Sequence, residues 1–310
     1  MQAVMYIVRY LVFPGFVFSA VVGLLTTWVD RKVSARVQLR VGPPWFQPFA
    51  DTIKLFGKEV IVPSNARWTG FLLMPIIGLA AATLASTILW SVNLAPERTF
   101  IGDTLVTLYV MTIPALAMII GGSASGNPLG ALGSAREMKL LFAYELPLTI
   151  AFLTTIVKVG SFSFGKILMY QQYNGVMLGS VSGVLAFIVA IFCAQAKLGF
   201  LPFDIPEAET EIAGGTHIEY SGAPLAIVRL NTAIMYLVVP LFIITVFWGG
   251  VNFTGWRILT SVLKYVAIVV IMVLIKNTNP RVKIAQAVRF FWGPMFAISA
   301  IAMILAIIGY

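Results

Sequence analysis

Charged residues all but vanish from eight separate stretches of the chain, and no other feature narrows the possible folds so far. The stretches are residues 10–29, 68–90, 104–122, 140–157, 176–196, 224–249, 258–275 and 290–309. Each comes close to the roughly 20 apolar residues that an α-helix needs to cross a bilayer. The 310-residue chain is 59% hydrophobic and 11% charged, whereas soluble domains carry about 25% charged residues. A water-soluble fold of this composition would expose large apolar patches and aggregate. Disordered, collagen-like and coiled-coil chains are excluded on the same ground. The expected fold class is all-α integral membrane: one polytopic domain over residues 1–310 with eight transmembrane helices.

The loops orient these helices. Fourteen of the 21 basic residues fall after the first, third, fifth and seventh stretches, and four fall after the second, fourth and sixth. Basic loops stay in the cytoplasm. The odd loops are therefore expected inside, both termini outside, and the chain in the plasma membrane. This accounts for the net charge of +9 without any nucleic-acid partner. The first stretch is expected to stay in place rather than act as a cleaved signal. It has only Arg9 before it, and Asp30-Arg31-Lys32 follows at once as a stop-transfer pattern. No internal repeat of broken helices is visible, although transporters built from inverted repeats often have one.

Two polar segments stand out. In the first cytoplasmic loop, residues 30–67, Arg40-Val41-Gly42-Pro43-Pro44 must turn sharply. Residues 47–60 then read as an amphipathic helix lying in the interface, with Phe49, Ile53, Phe56 and Val60 on one face. Two readings stand for this loop: topology and anionic headgroup binding, or a docking platform for a soluble partner. The second segment is an acidic loop, residues 197–223. It holds Asp204, Glu207, Glu209, Glu211 and Glu219 with His217 among them, and no basic residue follows Lys197 until Arg229. Crowded carboxyls beside a membrane have raised pKa values, which suits proton exchange. On one helix, Asp204, Glu207 and Glu211 would share a face. The alternative is a plain solvated loop.

Three charges fall inside the apolar stretches: Glu145, Arg229 and Lys264. Intramembrane charges cost ~2.5–3.5 kcal/mol on insertion scales and usually face a bundle interior or a watery path. Glu145, close to Pro147, is the best candidate for a buried proton carrier, and Lys264 is either part of the relay or its ion-pair partner. One cysteine, Cys193, and one histidine, His217, cannot supply the ligands of a zinc or iron–sulfur site. Any redox cofactor must sit on other subunits. The run Gly121-Gly122-Ser123-Ala124-Ser125-Gly126 lacks the Gly-Lys-Ser/Thr of a phosphate loop and reads as a flexible turn. No catalytic constellation is visible.

Several of these residues carry a resemblance. Arg31-Lys32, Gln38, Arg40, Gly42-Pro43, Gln47-Pro48, Ala50-Asp51, Lys54-Leu55-Phe56 and Lys58-Glu59 resemble the first cytoplasmic loop of the H-type (mitochondrial subunit 1) membrane subunit of respiratory complex I. Tyr144-Glu145-Leu146-Pro147 resembles its fourth-span motif. Pro202-Phe203-Asp204-Ile205-Pro206-Glu207-Ala208-Glu209-Thr210-Glu211, with Gly215, Glu219-Tyr220 and Gly222, resembles its acidic loop. The turn over residues 41–47 is shorter than in the quinone-reducing form. With Ala213-Gly214-Gly215 and Ser221-Gly222-Ala223-Pro224, it looks more like the related subunit of energy-converting membrane-bound [NiFe] hydrogenases and their sulfur-reducing relatives. That likeness weighs against a quinone site.

The resemblance implies a non-catalytic coupling subunit of a redox-driven ion pump. It would bind no cofactor itself. A [NiFe]-hydrogenase-like large subunit and a small subunit would carry the nickel–iron centre and iron–sulfur clusters, and antiporter-like membrane subunits would adjoin it. Arg31, Lys32, Arg36, Gln38, Arg40, Asp51, Lys54, Lys58 and Glu59 would seat the peripheral arm. Glu145, Asp204, Glu207, Glu209, Glu211, Glu219 and Lys264 would relay protons or charge. Two alternatives stay open: a quinone-site subunit of a true NADH:quinone oxidoreductase, and a free-standing secondary transporter.

Overall fold

The computed structural model describes residues 2–253 and 255–309; Met1, Thr254 and Tyr310 lie outside the described residues. Every regular element among the described residues is helical. In chain order the helices are α1 (Gln2–Leu11), α2 (Phe16–Val37), α3 (Gln47–Phe56), α4 (Trp68–Leu94), α5 (Asp103–Val110), α6 (Ile113–Ala124), α7 (Pro128–Val159), α8 (Phe164–Asn174), α9 (Val181–Lys197), α10 (Glu209–Ile212), α11 (Gly222–Phe247), α12 (Arg257–Thr278), α13 (Ile284–Phe290) and α14 (Phe296–Ile308).

All eight apolar stretches are largely helical, but among the described residues seven segments are long and apolar enough to cross a membrane. The fifth, α9, has 17 residues and is roughly 26 Å long at 1.5 Å per residue, a little short of the ~30 Å hydrocarbon core. Three crossings are interrupted. α1 and α2 part at Pro14-Gly15, α5 and α6 part before Pro114, and α13 passes into α14 through a wide turn at Phe291–Met295 that contains Pro294. Proline removes a backbone donor, and neighbouring helices let such breaks persist within a bundle.

Helix ends correct several expectations. α2 continues to Val37, so Asp30, Arg31, Lys32 and Arg36 ride on its final turns rather than on a loop. α7 begins at Pro128. At 32 residues it is roughly 48 Å long, and its first turns carry Arg136, Glu137 and Lys139 beyond the apolar core. The glycine-rich run is largely the end of α6, and only Ser125–Asn127 connects the two helices. The interfacial helix α3 ends at Phe56, short of Val60. It turns Pro48, Thr52 and Leu55 inward and leaves Ile53 and Phe56 exposed, as a helix lying along an interface should.

α11 is the central post. Of its most apolar 18-residue window, 94% is buried inside the protein, against 28% for α12 and for the α13–α14 segment. α2, α3, α4, α9 and α12 pack against it, while α7 joins α6, α9 and α14. Small residues permit the closest approaches. A Cβ on Gly23 of α2 would lie 2.5 Å from the Ala233 carbonyl oxygen of α11, so only glycine fits unless the helices separate. Gly23→Val is therefore expected to destabilise the protein by about 1–3 kcal/mol in thermal unfolding in detergent. Gly179→Ala, where an added Cβ meets nothing within 4 Å, is expected to leave the midpoint unchanged.

Candidate functional site

The acidic segment between α9 and α11 does not form one helix. It folds as short turns over Ile205–Glu207 and Gly215–His217 with the four-residue α10 between them. The shared face expected for Asp204, Glu207 and Glu211 is therefore absent. Pro206 and the left-handed backbone at Ala213, Gly214 and Gly215 break any longer helix.

Three of the five acids are held by neighbours at the edge of the segment. Arg281 Nη2 lies 2.7 Å from Asp204 Oδ2, and Arg281 Nη1 donates to Thr210 Oγ1 at 3.0 Å. Burial raises the Asp204 carboxyl above its ordinary range while Arg281 pulls it back. Arg136 Nη1 donates to Glu211 Oε2 at 2.6 Å, and Asn127 Nδ2 donates to Glu219 Oε1 at 2.5 Å. Tyr220 stacks on Phe71 with ring centroids 4.3 Å apart and donates to the Phe71 carbonyl at 3.0 Å. These contacts tie the segment to α4, to α7 and to the connection between α12 and α13.

Asp204 and Glu211 also border a cavity of about 250 Å³ with Arg136 and Arg281, and the other two acids border a larger one. Glu209 and Glu207 line a cavity of about 620 Å³ beneath α3, together with Arg31, Asp51, His217, Arg229 and Lys276. Glu207 Oε1 lies 3.4 Å from His217 Nδ1. Both residues also line a second, inner cavity of about 70 Å³, whose wall includes Glu137, Lys197 and Asn231. Glu207, His217 and Thr232 thus border both spaces.

Behind the inner cavity, Lys197 Nζ donates to Glu145 Oε2 at 3.3 Å. The lysine side chain is 1% exposed and the glutamate 18%. Lys197 Nζ also lies 5.5 Å from the Tyr144 ring centroid, and Glu145 Oε1 is buried without a hydrogen-bond partner among the described residues. Glu145 points inward from α7 beside Pro147, and Lys197 is the last residue of the short helix α9. Glu207, His217, Glu137 and Lys197 share the wall of the inner cavity, and Glu145 lies behind it on Lys197.

Lys264 lies elsewhere. Its ammonium donates to the Trp248 carbonyl at 2.7 Å, capping the C-terminal end of α11. That is about 39 Å, the length of a 26-residue helix, from the acidic end. The expected Lys264–Glu145 pair is therefore replaced by Lys197–Glu145. Sequence reading missed Lys197, which looked like a topology signal, and Glu137, which looked like a loop residue. The available signal was Lys197's setting, with apolar residues on both sides in Cys193-Ala194-Gln195-Ala196-Lys197-Leu198-Gly199-Phe200.

The residues expected to dock a partner divide in two. Arg31 Nη1 pairs with Asp51 Oδ2 at 2.9 Å and holds that carboxyl below its ordinary range. Gln38 donates to Asn277 Oδ1 at 3.1 Å, and Lys32 packs under Gly42. Arg36, Arg40, Lys54, Lys58 and Glu59 are exposed and make no ion pair among the described residues. Near them, Leu39, Val41, Trp45 and Ile61 are exposed as well. Among the described residues no group of three or more His, Cys, Asp or Glu is placed to hold a metal ion, and Cys193 is buried.

The fold and the site define a multi-pass all-α membrane protein with a charged loop closed over a cavity at one end. Residues 9–307 match the family model for NADH dehydrogenase, and the chain belongs to that family, the H-type (mitochondrial subunit 1) membrane subunits of complex I. It is 34% identical to the H-type subunit of the NADH-quinone oxidoreductase of Thermomicrobium roseum, over 92% of this chain and 91% of that protein. It is 33% identical to NADH-quinone oxidoreductase subunit 8 of Thermus thermophilus, over 90% of this chain and 81% of that one. Its fold matches a chain of the membrane-bound sulfane sulfur reductase, an archaeal respiratory membrane complex, with a TM-score of 0.85. The identity is 29%, and the match covers 94% of this chain and 96% of the other. The protein is a membrane subunit of a complex I-like complex.

The Lys197–Glu145 pair makes a direct stability prediction. Lys197→Met leaves a buried carboxylate unpaired and is expected to cost about 3–5 kcal/mol. Adding Glu145→Gln is expected to recover most of the loss, read by thermal unfolding in detergent. Additive losses in the double variant would contradict the pairing.

Proposed function

We propose that this chain anchors and couples a redox-driven ion pump of the membrane-bound hydrogenase and sulfur-reductase type. It seats a peripheral electron-transfer arm and relays protons or charge into the membrane. The observation that carries this reading is the position of Glu207 and His217, which with Thr232 border two cavities. They line both cavities, and the inner cavity abuts the Lys197–Glu145 pair. A change of charge or shape at the surface of the large cavity would move Glu207 or His217. In so confined a space that would shift protons among Glu137, Lys197 and Glu145.

On this reading the acidic-loop end lies in the cytoplasm of a plasma-membrane protein with both termini outside, as the distribution of basic residues favours. Arg36, Arg40, Lys54, Lys58 and Glu59 offer unpaired charge to a [NiFe]-hydrogenase-like large subunit and an iron–sulfur small subunit, which would carry the redox centres. Antiporter-like subunits would receive the relayed charge. Asp204, Glu211 and Glu219 set the position of the acidic segment, and Glu207, Glu209 and Glu145 carry the relay.

A second reading draws on the size of the large cavity, which is enough for a quinone headgroup, and on the two NADH-quinone oxidoreductase relatives. Its lining is divided between the charged residues Arg31, Asp51, Glu207, Glu209, Arg229 and Lys276 and the apolar residues Leu24, Pro48, Leu225, Val228 and Ala233, so the charged side suits water and ions and the apolar side suits a ring.

Glu145→Gln is expected to lower ion pumping in membrane vesicles while electron transfer continues, because it removes a charge carrier and no electron carrier. Equal loss of both would contradict the relay. Mass spectrometry of everything that copurifies in mild detergent tests the docking role. The native chain is expected to bring a nickel–iron-type large subunit and an iron–sulfur small subunit. The Arg36→Ala, Arg40→Ala double variant is expected to lose them and keep its membrane partners. A chain that purifies alone, folded and monodisperse, would overturn the proposal.

A further inference from the structure

Where α7 meets α13, positive charge gathers on residues that neither the relay nor the docking surface uses. The cavity of about 250 Å³ at this place is bordered by Arg136 of α7 and by Arg281, Lys283 and Ile284 at the approach to α13. Its two carboxylates, Glu211 and Asp204, are both taken by arginines, Arg136 and Arg281. Lys283 is exposed and makes no ion pair among the described residues. The same holds for Lys139, one turn beyond Arg136 on α7, and for Arg289 on α13. Three cations at one edge are thus left without a counter-charge. Below them the exposed faces turn apolar. Phe142 and Leu146 continue the face of Lys139 at 59% and 46% exposed, and Trp292 and Phe296 follow Arg289 at 58% and 37%. Phe142 and Trp292 each come three residues after their cation, about 4.5 Å further along the helix.

Cations that give way within one turn to exposed aromatic and aliphatic side chains match the boundary between lipid headgroups and acyl chains. A soluble partner would meet the charge but leave the apolar part of the face uncovered. Basic pockets between membrane helices bind phosphate headgroups. We infer that the edge formed by α7 and α13 is a binding site for an anionic membrane lipid. Its phosphate lies at the mouth of the 250 Å³ cavity against Lys283, with Lys139 and Arg289 to either side, and its acyl chains run over Phe142, Leu146, Trp292 and Phe296. The guanidinium of Arg289 can bind a phosphate through two parallel N–H donors, while the two ammonium groups act as point charges. A zwitterionic headgroup brings its own cation to this surface and gains less. The same cavity is bordered by Arg136 and Arg281, which hold Glu211 and Asp204. A lipid at its mouth therefore braces the acidic segment at the edge opposite the relay's cavities. The inference depends on α7, α13 and α14 lying in a bilayer, and not on the relay or on docking.

The test uses the intact complex, purified in mild detergent, stripped of lipid and titrated with phosphatidylglycerol, phosphatidylcholine or inorganic phosphate. Thermal midpoint and native mass spectra are read together. Phosphatidylglycerol is expected to raise the midpoint and to remain on this chain as an adduct, and the other two are expected to do neither. A basic residue beside an anionic surface contributes a factor of roughly five in affinity. The triple variant Lys139→Gln, Lys283→Gln, Arg289→Gln is therefore expected to need on the order of 100-fold more phosphatidylglycerol for half the rise. The control variant Lys166→Gln, Arg257→Gln, which removes two exposed cations on α8 and at the start of α12, is expected to titrate like the native complex. An equal response to phosphatidylcholine overturns the inference, as does a native response in the triple variant or the same weakening in the control. An equal response to inorganic phosphate makes this a free-anion site and overturns the lipid. Amine-reactive labelling of the lipid-free complex is expected to modify Lys139 and Lys283, and their protection would show a partner protein on this face and overturn the inference equally. If the triple variant does not assemble, Lys139→Gln alone decides, with a weakening of roughly fivefold expected. Glu145→Gln keeps the lipid response whether or not it pumps, so failure of the relay leaves this site standing.

Discussion

The enclosure of α11 is the constraint on which the other features depend. A helix with nearly every side chain covered must be surrounded, and in a bilayer the surrounding helices gain little from hiding apolar surface that lipid would cover equally well. Close packing through small residues supplies the association instead, as where Gly23 meets the backbone of Ala233. With the post fixed, its two ends acquire different chemistry. One end opens beneath α3 into a charged cavity. The other is closed by hydrogen bonds from Asn93 to Thr245 and from Gln171 to the Thr245 and Val246 carbonyls.

Three of the buried cations in this interior have identified partners. Lys197 meets Glu145, Lys276 meets Asp30, and Lys264 meets a helix C-terminus, where a cation is favoured by the dipole. Each is a polar contact that the low dielectric makes strong when complete and costly when broken. The acidic segment follows the same logic at the membrane edge. Arg281, Arg136 and Asn127 engage three carboxylates, while Glu207 and Glu209 line the cavity beneath α3.

Much of this was legible beforehand. The eight apolar stretches all became helices because backbone groups in hydrocarbon have few other ways to be satisfied. The first-loop motif from Arg31-Lys32 to Lys58-Glu59 and the acidic-loop motif from Pro202 to Gly222 pointed to the family because they are long and specific. The errors share a cause. Helices such as α2 and α7 continue past the membrane on polar residues, so hydropathy placed their ends too early and assigned Glu137 to a loop. The acidic residues were read as one helical face because periodicity cannot register the left-handed positions at Ala213, Gly214 and Gly215.

By itself the sequence determined that this is a multi-pass helical membrane protein, which segments form its apolar helices, and which ionisable residues fall within or beside them. Composition and periodicity are local properties, and the bilayer turns them directly into helices. Partnership was decided only by the tertiary structure. Whether Glu145 met Lys264 or Lys197, and which of five acids turned inward, depended on how α7, α9 and α11 cross. Those contacts join residues 52 positions apart for Lys197 and Glu145 and 246 apart for Lys276 and Asp30. Their pairing energy comes from burial that exists only once the bundle has closed.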